Sequence, residues 1–396
     1  MAPHRRTSGS ATAAALTDQS VAKRHLDILF GGLGVALLTV AAVARPDEAK
    51  GAASQDWPPF VLVTGLLLIG LVANHDGLFA AAGYRLSRLA KSGTVLFAGA
   101  VVMIGLVTAV LNLDTSVAFL TPVLVYTARS RGGGEAPLLY GCLLLSNAGS
   151  LFLPGSNLTN LIVLGNLHLS GASFFSRMWA PALAAFLVTA IVVAFFERRA
   201  LSLGPDEPDE APRATFGLGL VAIVAATTLI VLLSAPALPV VAIGVAAIGI
   251  RLATGNQTGH EVAEVLGMPV LVGLFGVAVA LGTLGRQWSG PATLISHLDT
   301  WATAVVAAAS SVLVNNLPAA SLLAARVPGR PLSLLIGLDL GPNLFVTGSL
   351  AWLLWLRAAR SAGARPSIAA ASRIGCVAVP LSMAAALGVL GLGASR

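Results

Sequence analysis

Continuous apolar runs, each about long enough to cross a bilayer as a helix, recur along the whole chain, at 26–44, 57–73, 178–196, 216–234, 236–252, 267–285 and 374–393. In hydrocarbon, water cannot satisfy backbone N–H and C=O groups, so such runs can only become helices or the strands of a closed barrel. Barrel strands would read as roughly ten-residue alternating segments, whereas these runs are unbroken and rich in Leu, Ala, Val and Gly. With 56% hydrophobic and 10% charged residues, the 396-residue chain also lacks the polar surface of a soluble globule. The expected fold class is all-α and polytopic.

Four further apolar stretches do not fit single helices. The 94–128 stretch is interrupted at Asn112-Leu113-Asp114-Thr115, and 299–327 at Asn315-Asn316-Leu317-Pro318. Each leaves two arms shorter than a comfortable span of about 20 residues, which predicts re-entrant hairpins with tips near mid-membrane. The stretch after each hairpin breaks too: 136–170 at Pro154-Gly155-Ser156-Asn157-Leu158-Thr159-Asn160, and 331–356 from Gly341-Pro342-Asn343 to Thr347-Gly348-Ser349. Pro and Gly free backbone groups there, and Asn, Ser and Thr can donate and accept toward a small solute or ion. Corresponding breaks in two halves of one chain mark the binding site of an inverted-repeat transporter, here with about nine transmembrane helices, two re-entrant hairpins and two broken helices.

Asp114 and Asp339 are read as the carboxylates lying well inside apolar stretches. A charge at that depth is expensive and normally faces a cavity or pathway, so each is assigned to an ion, proton or substrate rather than to helix capping. The candidate binding residues are Asn112, Asp114, Thr115, Ser156, Asn157, Thr159, Asn160, Asn315, Asn316, Asp339, Asn343, Thr347 and Ser349. Pro154, Gly155, Pro318, Gly341, Pro342 and Gly348 are the candidate hinges.

Placing the N-terminus in the cytoplasm and returning both hairpins to their starting side puts 17 of the 24 Lys and Arg in cytoplasmic segments, namely 1–25, 74–93, 129–135, 197–215, 251–266 and 357–373. Reading 94–128 as one crossing would flip every later loop and weaken that bias. The expected organisation is a polar N-terminal tail over 1–25, a first transmembrane repeat over 26–196, a charged linker over 197–215 and a second repeat over 216–393, with the C-terminus outside. The run at 26–44 is long enough to span and has no clear cleavage site before Pro46, so it is expected to be retained. Residues 76–91 mix Leu78, Phe79, Leu86 and Leu89 with Arg85, Arg88 and Lys91, as an interfacial helix does.

Several function classes fall away. None of Lys23, Lys50 and Lys91 follows a Gly-rich phosphate loop, which excludes an intrinsic ATPase and leaves a gradient or a separate ATPase subunit as the energy source. An intramembrane aspartyl protease would also hide two aspartates, but needs Gly-x-Gly-Asp where this chain reads Ile336-Gly337-Leu338-Asp339. No enzyme activity and no catalytic residue is therefore assigned; a channel is the other non-enzymatic reading. The six His lack metal-ligand spacing, and Cys142 and Cys376 are too far apart in sequence to suggest a metal cluster or disulfide framework. The basic residues are scattered through short loops without aromatic interleaving, unlike a nucleic-acid surface.

Over about 57–356 the chain resembles the arsenical pump membrane protein (arsenite permease) family, within the ion-transporter superfamily that also holds sodium/proton antiporters and divalent anion/sodium symporters. The resemblance rests on Asp76-Gly77-Leu78-Phe79, on Asp114 through Leu120-Thr121-Pro122, on Val314-Asn315-Asn316-Leu317-Pro318, and on Gly337-Leu338-Asp339-Leu340-Gly341-Pro342 through Gly348-Ser349-Leu350-Ala351. It implies alternating access around a central site and export of arsenite or antimonite against proton entry, with Asp114, Asn315, Asn316, Asp339, Gly341, Pro342 and Ser349 at matching positions. Leu113 departs from the Asn that arsenite permeases tend to place there, and the first break reads closer to the anion symporters. Sodium-coupled di- or tricarboxylate transport and sodium/proton exchange accordingly stay open. No cofactor is expected beyond a proton or sodium ion. Expected partners are membrane lipid and a small inorganic or anionic solute; the reading also admits an arsenite-stimulated ATPase subunit and a homodimer in the cell membrane.

Overall fold

The computed structural model describes residues 8–165, 167, 169–201, 217–255 and 257–394, with backbone only for 8–24, 26 and 394. Regular structure among the described residues is entirely helical. The chain opens with α1 (Ser8–Ala44) and α2 (Pro46–His75), and Gly77, at φ +74°, turns it into the amphipathic α3 (Leu78–Leu89). α4 (Gly93–Leu111) and α5 (Leu113–Arg129) meet at Asn112. The first broken helix consists of α6 (Ala136–Gly149), a 3-10 turn at Pro154–Ser156 and α7 (Leu158–Leu164), and α8 (Gly171–Phe196) follows.

After α9 (Leu218–Leu232) and α10 (Ala237–Ala253), the same order of parts returns. α11 (Gly259–Leu266) leads through a left-handed Gly267 into α12 (Met268–Gln287), and α13 (Gly290–His297) is the second short helix. α14 (Thr300–Val314) and α15 (Asn316–Leu323) meet at Asn315. α16 (Pro331–Leu340), a 3-10 turn at Gly341–Leu344 and α17 (Leu350–Ser361) form the second broken helix, before α18 (Ile368–Ala394). Six helical segments are long and apolar enough to cross a membrane, and α6, α9, α10 and α14 are shorter apolar helices. The chain is a multi-pass membrane protein.

Polar ties between helix ends sort those ends onto two faces. On one, Arg357 pairs with Asp27 at 2.7 Å, Asp76 pairs with Arg251 and accepts the Gly219 N–H at 2.7 Å, and Arg129 donates to the carbonyls of Ala362 and Gly363. On the other, Arg286 donates to the Gly51 carbonyl, Arg326 to that of Arg286, and Arg330 to that of Leu298. The first is the basic face, which among the described residues carries most of the Lys and Arg.

Both hairpins return to the face they leave. Arg131, just past α5, donates to the Ala90 carbonyl just before α4 at 3.2 Å, and the Arg330–Leu298 contact of 2.6 Å closes the second hairpin in the same way. One detail corrects the sequence reading: at 19 residues, α4 is long enough by itself to cross, so the return of α5 rather than short arms makes the hairpin. Cysteines placed in 85–91 and in 129–135 are accordingly expected to react with a membrane-impermeant thiol reagent from the same side; labelling from opposite sides would overturn the arrangement.

The two halves grip each other through their first helices. α1 lies along α12 and α10 along α2. Gly34 backs onto Gly273 in the first contact, and Gly65 onto Val241 and Gly244 in the second; a Cβ at any of these glycines would strike the neighbour. Small residues allow such close approach where no hydrophobic effect drives helices together in lipid.

Two further expectations change, and a third falls outside the described residues. Helix α1 already begins at Ser8, inside the stretch read as a polar tail, while residues 1–7 lie outside the described residues. The charged linker falls mostly on residues 202–216, also outside them. α2 starts at Pro46 and runs through Pro58 and Pro59, a pair that reads in sequence as a helix start because proline lacks the N–H that continues a helix. The upstream extension buries Asp56, 1% exposed, so Asp114 and Asp339 are not the only carboxylates inside the bundle.

Candidate substrate and ion site

Four helix starts converge on one point. Asn112, Asn157, Asn315 and Ser349 are the N-caps of α5, α7, α15 and α17. A cavity of about 20 Å³ lies between them, lined by Asp114, Asn157, Asn315, Asn316 and Ser349 together with Leu113, Leu158, Leu274, Leu317 and Leu350. That is room for about one water, so the site is occluded in the sense that it excludes any larger solute. The N-terminal N–H groups of these helices leave positive potential at the cavity.

The local sequence explains the convergence. Asn112 and Asn315 take positive φ, +111° and +75°, which Asn tolerates better than most residues. Each side chain then caps the next helix: Asn112 Oδ1 accepts the Thr115 N–H at 2.7 Å, and Asn315 Oδ1 that of Leu317 at 3.4 Å. Asn316 N–H donates to the Gly348 carbonyl at 2.8 Å and Asn315 Nδ2 to the Thr347 carbonyl at 3.2 Å, so the second hairpin tip rests on the second break.

Two larger cavities connect this point with the basic face. One of about 300 Å³ runs from Glu264, Arg357 and Ser361 to Asp114, and another of about 430 Å³ from Asp27 and Arg357 to Asn315 and Pro318. Asp114 and Asn315 thus each line both a vestibule and the occluded cavity. Asp114 makes no side-chain hydrogen bond among the described residues.

Asp339 behaves differently. Fully buried and not lining the cavity, it accepts Ser150 Oγ at Oδ2 and Asn157 Nδ2 at Oδ1, both at 2.9 Å. It therefore ties the second broken helix to the first. Beside it, Asn343 accepts Asn147 Nδ2 at 2.9 Å and donates to the Leu144 carbonyl at 3.0 Å, again joining the two halves.

The remaining candidates divide the same way. Ser156 donates to the Ala109 carbonyl, Asn160 to those of Ser150 and Leu153, and Thr347 to that of Val312, so all three fasten breaks to neighbouring backbone. Thr115 and Thr159 are buried with unpartnered hydroxyls but do not line the cavity, and Ser349 Oγ, also unpartnered, does. Two of the candidate hinges are places of close approach: a Cβ at Gly341 would strike Ala308 and Ser311, and one at Gly348 would strike Pro342. Pro154 and Gly155 lie in the first 3-10 turn. Sequence reasoning missed Asn147 and Ser150, although the stretch Ser146-Asn147-Ala148-Gly149-Ser150 is itself a polar interruption of an apolar run.

Among known proteins, the chain is 26% identical to the arsenical pump membrane protein of Escherichia coli (strain K12) over 361 residues, covering 82% of this chain and 83% of that one. It is 27% identical to the silicon efflux transporter LSI3 of Oryza sativa subsp. japonica over 178 residues, 45% of this chain and 36% of that one. The crystal structure of the Alcanivorax borkumensis YdaH transporter shares the fold, with a TM-score of 0.55 at 14% identity over 93% of this chain and 98% of that one. The profile of the CitMHS family, described as citrate transporter, matches residues 20–346. Hairpin tips and broken helices meeting at an occluded polar cavity are the build of a secondary transporter, and by that match the chain belongs to the citrate transporter (CitMHS) family.

Proposed function

We propose that the protein exports a small neutral hydroxylated metalloid, arsenite or antimonite, in exchange for protons. The observation that carries this reading is the lining of the occluded cavity, which offers amides, a hydroxyl and one carboxylate but no Lys, Arg or His. Uncharged As(OH)3 needs donors and acceptors of modest strength, which Asn and Ser provide. A tricarboxylate would bury several negative charges beside Asp114 with no side-chain cation to offset them, a costly arrangement. The names of two relatives agree, since arsenite and dissolved silicon are both neutral hydroxides in water. Nor do the two separated cysteines offer the clustered thiolates that hold As(III) tightly, and a solute in transit must also leave.

In this reading the basic face is cytoplasmic, as the positive-inside rule favours, which puts the N-terminus inside the cell and the protein in the cell membrane. Both vestibules then open toward the side from which an exported solute is loaded. Asp114, reached from a vestibule and exposed to the cavity, carries the coupling proton. Sodium-coupled uptake of a di- or tricarboxylate is the second reading, favoured by the convergent helix N-termini and by the family description. Flux into proteoliposomes of arsenite, antimonite, succinate and citrate under imposed pH or sodium gradients tests both. Arsenite movement driven by the pH gradient is expected. Sodium-driven carboxylate uptake with arsenite inert would replace the first reading by the second.

A further inference from the structure

On the face opposite the vestibules, a cavity of about 490 Å³ is lined by Gly51, Gln55, Trp57, Pro58, Leu161 and Pro236, among others. Gln55, itself buried, is part of its wall. Its Nε2 donates to the Ile162 carbonyl in the last turn of α7 at 2.9 Å and to the Ala324 carbonyl at the C-cap of α15 at 3.1 Å. The Ala324 carbonyl, at a helix C-terminus, has no backbone donor and is satisfied by this amide, while the Ile162 carbonyl takes it in addition to the Gly165 N–H at 3.4 Å, so one side chain ties the ends of two helices together. Those two helices are the ones whose opposite ends line the occluded cavity through Asn157, Asn315 and Asn316.

The amide is held in place from behind. Arg286 of α12 donates to Gln55 Oε1 at 2.6 Å and to the Gly51 carbonyl at 3.1 Å. Next along α2, buried Asp56 faces Ser321 of α15 and the Arg286 guanidinium, with Oδ2 unpartnered. At Gly285 the backbones of α12 and α15 come so close that a Cβ would lie 2.6 Å from the Leu322 carbonyl oxygen.

On the other face, Glu264 of α11 is exposed and lines a vestibule together with Ala118 of α5.

We propose that Gln55 and Asp56 of α2, with Arg286 of α12 and Ser321 of α15, form the gate that seals this face while the vestibules of the basic face are open. The gate rests on the alternating-access transporter reading but not on the identity of the solute, and its test needs no solute. The reporter is Leu274→Cys, at the occluded cavity, with Cys142 and Cys376 replaced by serine; a small charged methanethiosulfonate is applied from the gated side of oriented vesicles. Gln55→Leu, which removes both bonds to the helix ends, and Gly285→Ala, which wedges the α12–α15 seam, are each expected to raise the labelling rate about tenfold. Glu264→Gln, on the other face, is expected to leave it unchanged. Ala358→Cys, in a vestibule, reports from the basic face whether each variant remains folded. Rates from the gated side that stay at the parental value in both gate variants, with vestibule labelling intact, overturn the proposal, as does an equal rise in Glu264→Gln. If Gln55→Leu fails to accumulate, Gln55→Glu, which swaps a donor for an acceptor against the same two carbonyls, takes its place with the same expected rise.

Discussion

Asp114→Asn is expected to bring proton-driven flux in proteoliposomes down to background, while energy-independent exchange of solute across the membrane partly survives. The substitution keeps size and hydrogen-bonding capacity and removes only the titration. Because Asp114 has no side-chain hydrogen-bond partner among the described residues, no network is broken by the change, and the melting temperature should move little. What is lost is the group that touches both the vestibule and the occluded cavity, as a proton carrier must during alternating access. Exchange moves no net proton and so does not require it. Full pH-gradient-driven transport by the variant would assign the coupling proton to another group, and Asp56 would be the next carboxylate to test.

For Asp339→Leu the expected result is different: net transport and exchange both fail, and the protein melts at a lower temperature. Asp339 accepts hydrogen bonds from Ser150 and from Asn157, and leucine accepts none; Ser150 can turn its hydroxyl to the Asn147 carbonyl at 2.7 Å, but Asn157 Nδ2 keeps only the more distant Ser150 Oγ at 3.5 Å. A buried donor is then left poorly satisfied, at a cost of about 1–3 kcal/mol. The damage spreads to the site, because the released Asn157 both caps α7 and lines the cavity. Thermal denaturation in detergent and a solute-exchange assay measure the two effects separately. A variant that melts normally and exchanges at the parental rate would show that Asp339 does not organise the break.

The opposite expectations for two aspartates that read alike in sequence show where the sequence stops. Both lie in apolar stretches near polar clusters, and local composition assigns them the same role. Their difference comes from a third segment: Ser150 and Asn157, far away in sequence, fold against Asp339, while nothing comparable reaches Asp114. Asn157 and Asn160 diverge for the same reason. They share a side chain and a break, yet Asn157 lines the cavity while Asn160 turns back to the carbonyls of Ser150 and Leu153. Asp56 escaped detection because the proline pair after it masks a helix that tertiary packing continues through.

What the sequence alone determined is the part set by short-range necessity. Apolar runs must become helices because lipid satisfies no backbone group, and mixed clusters of Asn with Pro or Gly can interrupt them because they supply positive φ or withhold an N–H. The helical fold class, both hairpin tips and both breaks follow from that. Only the tertiary structure decided which side of each break faces the cavity, which carboxylate is bound and which is free, and which face is sealed. Those outcomes depend on contacts between residues more than a hundred positions apart, such as Gln55 with Ile162 and Ala324, or Asn157 with Asp339. A side chain's capacity to donate and accept is written in its chemistry, but its partner is chosen by the packing of the two halves.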